Sequence, residues 1–372
     1  MKVKKIIFVL ISVLAVVVLS SCGGVKKTFD ILKDEEFGHV DINSSAEDFN
    51  KLGFTYGDSC DVRFSNGYEL KDIPYYNGYY TKVGDPLLCA YNGSGHVKIA
   101  YNSGASMWEK AGCDENTKVT VTLNEKGKYL NVQNTMSTSY SMDRNDYKSD
   151  EAFCNFRALS GGNIKKNTFF RGASPVNNQN KRAKLTDNLI KKENINFILD
   201  LSDTEKTLEK YKKDGTFDNS YYSELLSQDK VALLGLGANY RSEKFTDSLV
   251  EGFRKMMNES GPYYIHCTEG KDRTGFVCAL IEALCGATYD EIENDYMITY
   301  KNYFNFTKEL DKEKYDMVLE KRFNDMLYCI CDIPEGQSLS DINLKERARK
   351  YIVKIGMTEQ EADSFCAFLS QN

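Results

Sequence analysis

Tyr263-Tyr264-Ile265-His266-Cys267-Thr268-Glu269-Gly270-Lys271-Asp272-Arg273-Thr274-Gly275-Phe276-Val277 decides how this 372-residue chain is read. Ser260-Gly261-Pro262 stops the segment before it, so Tyr263 to His266 reads as a short buried strand. Phe276, Val277, Leu280, Ile281 and Leu284 recur at helical spacing, which predicts a helix next. The stretch between them is a strand-to-helix loop, preceded by another helix marked by Phe245, Leu249, Phe253, Met256 and Met257. In such a loop the backbone N–H groups and the positive end of the helix converge where an anion would sit.

The residue types suit a phosphoryl group. Helix N-terminal amides and an arginine favour thiolate over thiol, which makes Cys267 the candidate nucleophile. Arg273 can grip two phosphate oxygens through its planar fork, which Lys could not. Thr274 can donate its hydroxyl to the sulfur, and Gly270 and Gly275 leave room where backbone curls around or approaches the phosphoryl group. With Thr268, Glu269 and Lys271 they complete the expected phosphate cradle, and His266, facing away on its strand, is expected to brace it. Attack by Cys267 followed by water is a two-step phosphatase reaction that needs no cofactor and no metal. A papain-like thiol enzyme would need a histidine base, yet only His39, His96 and His266 exist, and neither they nor any Cys-x-x-Cys pair supports a structural zinc.

The loop resembles that of the protein tyrosine phosphatase superfamily, and Gly270-Lys271-Asp272-Arg273-Thr274-Gly275 is similar to its bacterial tyrosine/serine phosphatase branch. Phe170-Arg171-Gly172-Ala173-Ser174-Pro175, then Leu185 to Lys192, then Phe197-Ile198-Leu199-Asp200-Leu201 follow the same branch, and the resemblance runs from Asp150 to the C-terminus. It implies an α/β fold, a cysteine-phosphatase-type central sheet flanked by helices, here preceded by a smaller mostly β domain. It also implies phosphorylated protein or peptide as substrate, with phosphoinositide or inositol polyphosphate as the alternative. Two departures stand out. Ser202 follows Asp-Leu where the family has Arg, and the segment Val231 to Tyr240, where superfamily members carry a general-acid Asp, offers no carboxylate. A leaving alkoxide or phenolate needs a proton within reach, so the acid is expected to be Asp272, with Asp203 and Glu205 next. Asp272 reads equally as a carboxylate that orients Arg273 or a loop amide. Lys271 reads either as an attraction for a multiply phosphorylated headgroup or as a partner of Glu269 or Asp272. With the acid loop missing, a phosphate-binding module without turnover is the competing class.

The chain opens Met1-Lys2-Val3-Lys4-Lys5, runs apolar from Ile6 to Val18 and reaches Leu19-Ser20-Ser21-Cys22-Gly23. This resembles a lipoprotein signal with a lipobox, implying a lipid on Cys22, a membrane attachment and an extracytoplasmic location. Loss of residues 1–21 removes three lysines and takes the formal charge from −6 to −9, which makes nucleic acid an unsuitable partner. Eleven cysteines in an exported chain invite disulfides. Cys278 and Cys285, however, share a helix seven residues apart, about 10 Å along its axis, which is too far to bridge.

Between residues 38 and 136 the pattern turns to strands. Cys60, Val62 and Phe64 alternate and meet Asn66-Gly67, a hairpin signal; Val97, Ile99 and Tyr101, then Val119, Val121 and Leu123, alternate likewise. Ser44 with Glu47 suggests a capping box. The run from Gly84 to Val121 is similar to the small β domain of S-adenosylmethionine hydrolases and halogenases, whose larger catalytic domain is absent here, so no activity carries over. The expected organisation is a signal peptide over 1–21, a tether over 22–37, the β accessory domain over 38–136, a linker over 137–149 and the phosphatase-type domain over 150–372.

Overall fold

The computed structural model describes residues 24–371 apart from 36, 214 and 216. Residues 1–21 and Cys22, and with them the expected signal and lipidation site, lie outside the described residues. Seven strands close a barrel in the order β1-β2-β6-β5-β4-β3-β7. They are β1 (Lys26–Lys33), β2 (Val40–Ile42), β3 (Ser59–Phe64), β4 (Glu69–Tyr76), β5 (Pro86–Cys89), β6 (Val97–Tyr101) and β7 (Lys118–Glu125). The alternating residues face inward as expected: Cys60, Val62, Phe64, Val97, Ile99, Val119 and Val121 are all buried in one core.

Two expectations are corrected here. The tether does not extend to 37, because Lys26–Lys33 is a barrel strand, paired with β7 from Lys26↔Thr122 to Asp30↔Lys118 and with β2. Its side chains are mostly exposed, so its hydrophobic signal is weak; backbone pairing holds it, together with Phe29 and Ile31, which pack on the barrel core. The helix Ala46–Lys51 is capped by Ser45, not Ser44: the Ser45 hydroxyl accepts from the Asp48 amide.

The second unit is a five-stranded sheet, β11-β10-β12-β9-β8, with helices around it. Its strands are β8 (Arg157–Ala158), β9 (Phe169–Gly172), β10 (Phe197–Asp200), β11 (Val231–Leu233) and β12 (Tyr263–His266). All pairs are parallel except β8 with β9. The three central strands are buried at every position, as expected of parallel strands covered on both faces. The register pairs Asp200 with His266 and His266 with Gly172, so the carboxyl ends of β9, β10 and β12 finish level. That is where open α/β sheets bind ligands. The helix Asp272–Leu284 is buried from Thr274 to Leu284, and an all-round apolar helix belongs at the centre of a core. Thr288 with Glu291 and Thr358 with Glu361 form capping boxes on two further helices. The barrel docks on this unit: Arg322 donates to the Tyr79 carbonyl, Lys82 pairs with Glu335, and Val83 and Met136 pack against the main core. Among the described residues no helix is long and apolar enough to cross a membrane.

Candidate active site

Cys267 follows β12 directly and is 3% exposed. The loop after it curls through Gly270, whose φ of +66° lies in the left-handed region. A Cβ there would sit 2.2 Å from the Gly172 carbonyl oxygen, so only glycine lets the loop lie on the end of β9. Buried donors hold it from behind. The Gly270 carbonyl accepts from Arg171 at 2.9 Å and from Asn155 at 3.0 Å. Arg171 is in turn fixed by Asp295 at 2.6 Å, and Arg157 grips the same carboxylate at 2.7 Å. Burial works against the Asp295 charge, but Arg157 and Arg171 outweigh it and hold the carboxyl below its usual range. The Thr268 carbonyl accepts from the Ser174 amide at 3.2 Å, which ties the other limb of the loop to the segment after β9.

Arg273 sits in the first turn of the helix Asp272–Leu284 and reaches across the loop. It donates to the Leu236 carbonyl at 2.9 Å and to the Thr268 hydroxyl at 3.2 Å. A guanidinium has five N–H donors, so others remain for an anion beside Cys267. The segment expected to lack an acid thus supplies a backbone oxygen that orients the arginine. His266 is fully buried against Tyr222 and Tyr264. Its Nδ1 lies 3.4 Å from the Cys267 carbonyl and its Nε2 lies 3.6 Å from Asp200. Burial pushes the imidazole down to about 4 against the pull of Asp203, so it is neutral at physiological pH.

Thr274 and Gly275 behave differently from expectation. The Thr274 hydroxyl is buried and makes no hydrogen bond, to the Cys267 sulfur or to any other described group. Gly275 makes room for a neighbouring helix rather than a ligand: a Cβ there would lie 2.8 Å from the Tyr296 ring. Glu269 turns away to the linker, where it accepts from the Tyr140 hydroxyl, and Lys271 pairs with it at 3.1 Å. Burial raises the Glu269 carboxyl, yet Lys271 and Tyr140 more than compensate and hold it below the usual range. Lys271 is therefore the internally paired cation of the two readings. The same corner is stapled by Arg182, whose guanidinium lies 4.6–4.7 Å from the rings of Phe153, Tyr140 and Tyr303, and by Tyr303, which donates to the Glu269 carbonyl at 2.7 Å.

The three candidate acids are separated. Asp272 is more than half exposed and lines a cleft of about 930 Å³ with Lys271. Asp203 is buried and accepts from Thr207 at 3.1 Å and Tyr211 at 2.9 Å; burial and Asp200 push its carboxyl up to about 6. Glu205 is exposed at the start of the helix Glu205–Lys213. One carboxylate in the cleft had no sequence signal: Asp325, held by Arg241 at 2.7 Å and by the Tyr240 hydroxyl. All ten described cysteines are free.

A profile of the tyrosine phosphatase family matches residues 151–365. The chain belongs to the tyrosine phosphatase family. No curated protein matches it. Among solved structures it is similar to a crystal structure of an uncharacterized conserved protein from Thermotoga maritima, at 21% identity and a TM-score of 0.23, over 25% of this chain and 35% of that one. The chain therefore spans about a third of that protein's length.

Asn155, Arg157 and Asp295, which organise the loop of this tyrosine phosphatase family domain, escaped the sequence reading. Asp295 had a signal. It falls between Ile292 and Tyr296, both buried on the helix Tyr289–Phe304, and a carboxylate on such a face needs a buried partner. The cleft was legible only in part: the aromatic cluster Tyr75, Tyr76, Tyr79 and Tyr80 reads in the sequence as core, interface or a ligand-binding face, and Tyr79 and Tyr80 line the cleft with Tyr91, Tyr101, Lys271 and Asp272.

Proposed function

We propose that this chain is a cysteine-dependent phosphatase acting on phosphate monoesters, with protein phosphotyrosine as its substrate class. The observation that carries the reading is that Cys267 and Arg273 bracket one glycine-hinged loop at the carboxyl end of a parallel strand, with Arg273 reaching back to the Thr268 hydroxyl beside the cysteine. The Cys267 sulfur attacks phosphorus, the bond to the leaving oxygen breaks, and Asp272 gives that oxygen its proton. Water then attacks the phosphocysteine, its proton returns to Asp272, and the phosphorus–sulfur bond breaks to release phosphate and thiolate. Arg273 keeps its grip on the equatorial oxygens throughout. The exposure of Asp272 on the cleft, against the burial of Asp203, favours it as the acid. A phosphoinositide substrate is the less favoured alternative, because the Lys271 charge is already met by Glu269. The chain is further proposed to act outside the cytoplasm, held to the membrane by a lipid on Cys22; the basic, apolar and small-residue order of its first 22 residues supports this.

Cys267→Ser tests the chemistry. Turnover of a phosphotyrosyl peptide should fall below detection while the protein still binds a phosphate mimic, since the loop amides and Arg273 remain. Hydrolysis by the serine variant would sink the mechanism. A wild-type chain that binds the peptide and releases no phosphate would instead be a binding module.

A further inference from the structure

We propose that the rim of the β barrel is the outer wall of the substrate site and selects a phosphorylated aromatic ring carried on a peptide, an inference that rests on the phosphatase reading above. The cleft has one wall on each unit. On the phosphatase side it is formed by Lys271, Asp272 and the Gly237–Tyr240 segment, next to the carbonyl that orients Arg273. On the barrel side it is formed largely by aromatic rings. These rings make a ladder: Phe37 stacks on His39 with centroids 5.6 Å apart, His39 lies 6.0 Å from Tyr79, and Tyr79 lies 6.4 Å from Tyr91. The Tyr79 hydroxyl is 3.3 Å from His39 Nδ1, which fixes the centre of the ladder. Its outer rungs are open, with Phe37 62% and Tyr91 56% exposed.

The chemistry of the leaving group narrows the occupant. The cations of the cleft do not decide it: Lys98 is held by Asp34 at 2.6 Å and Asp41 at 3.1 Å, Lys271 by Glu269 at 3.1 Å and Lys321 by Glu320 at 2.7 Å, whereas Arg322 donates to a backbone carbonyl, that of Tyr79, and Lys244 lines the cleft with them. The phosphate is seated beside Cys267 and Arg273. Its leaving group would emerge among ring faces, where an aryl group gains offset-stacked or edge-on contacts that a sugar alcohol cannot make. The ladder continues beyond the mouth, so apolar residues flanking the phosphorylated ring have a surface to lie on.

The test uses the Cys267→Ser chain, so that binding is read without turnover. The affinity of a fluorescein-labelled phosphotyrosyl peptide is measured by anisotropy and that of inorganic phosphate by competition, each with and without Tyr91→Ala and Tyr79→Ala. Tyr91 is exposed, so its variant reads the wall even if the Tyr79 variant does not fold. The peptide Kd should rise about tenfold relative to the phosphate Kd, and Tyr91→Phe, which keeps the ring, should restore it. An unchanged ratio overturns the wall while leaving the phosphatase reading standing. Failure of both ligands to bind the Cys267→Ser chain brings down that reading and the wall with it. Tighter binding to vesicles carrying a phosphoinositide than to the peptide overturns the choice of an aromatic ring.

Discussion

At the scale of single residues, the division of labour among carboxylates is the most testable feature. If Asp272 protonates the leaving group, Asp272→Asn should slow hydrolysis of an alkyl phosphate at least about 100-fold, within the range of general acid catalysis. An activated aryl phosphate, whose leaving group needs no proton, should be affected far less. Equal slowing of both substrates would assign Asp272 to organising the loop. Asp203 and His266 make a second, thermodynamic test. Asp203 is raised to about 6 from 3.8 in the fold, so the native state holds a proton that the unfolded chain has released, and stability from this group falls as pH rises through that window. His266 is lowered to about 4 from 6.5, so the unfolded chain binds the extra proton and stability from this group rises with pH over nearly the same window. The two offset each other. Asp203→Asn leaves the histidine contribution alone, and its melting temperature should climb between pH 4.5 and 6.5 more steeply than wild type, by on the order of 5 °C. Parallel melting curves across that range would refute the pairing.

At the scale of elements, the legible parts were those with a local cause. The strand Tyr263–His266 and the helix after it follow from an apolar run, a proline stop and a 3.6-residue period, and the loop between them needs only the glycine that the sequence displays at 270. What supports that loop comes from elsewhere in the chain: Asn155 after a short helix, Arg171 on β9 and Asp295 on the helix Tyr289–Phe304 meet only after the sheet has formed. No window of sequence contains them together. The barrel shows the opposite failure. β1 was missed because its outward-facing charges look like a tether, although backbone pairing and the packing of Phe29 and Ile31 on the barrel core specify it. The buried Arg157–Asp295–Arg171 cluster should behave as one unit. Asp295→Ala leaves two uncompensated guanidiniums and should cost about 3–5 kcal/mol in denaturant titrations, with weaker phosphate binding because Gly270 loses its anchored donor. A loss below about 1 kcal/mol would show that the cluster is solvated in solution.

At the scale of the whole molecule, the barrel and the phosphatase domain share a cleft, and the proposed lipid on Cys22 would attach at the barrel's end of the chain. Cys22→Ala should shift the protein from the membrane fraction to the soluble fraction or block its maturation; wild-type fractionation would end the lipoprotein reading. The early start of β1 gives this attachment a dimension. Only Gly23, Gly24 and Val25 separate Cys22 from Lys26, and four Cα steps reach at most about 14 Å. With the proposed lipid in place, a leash so short would not let the protein sweep the space around the cell. It would hold the barrel against the lipid headgroups and keep the mouth of the cleft at nearly constant height, so that only phosphate groups presented at that height are within range.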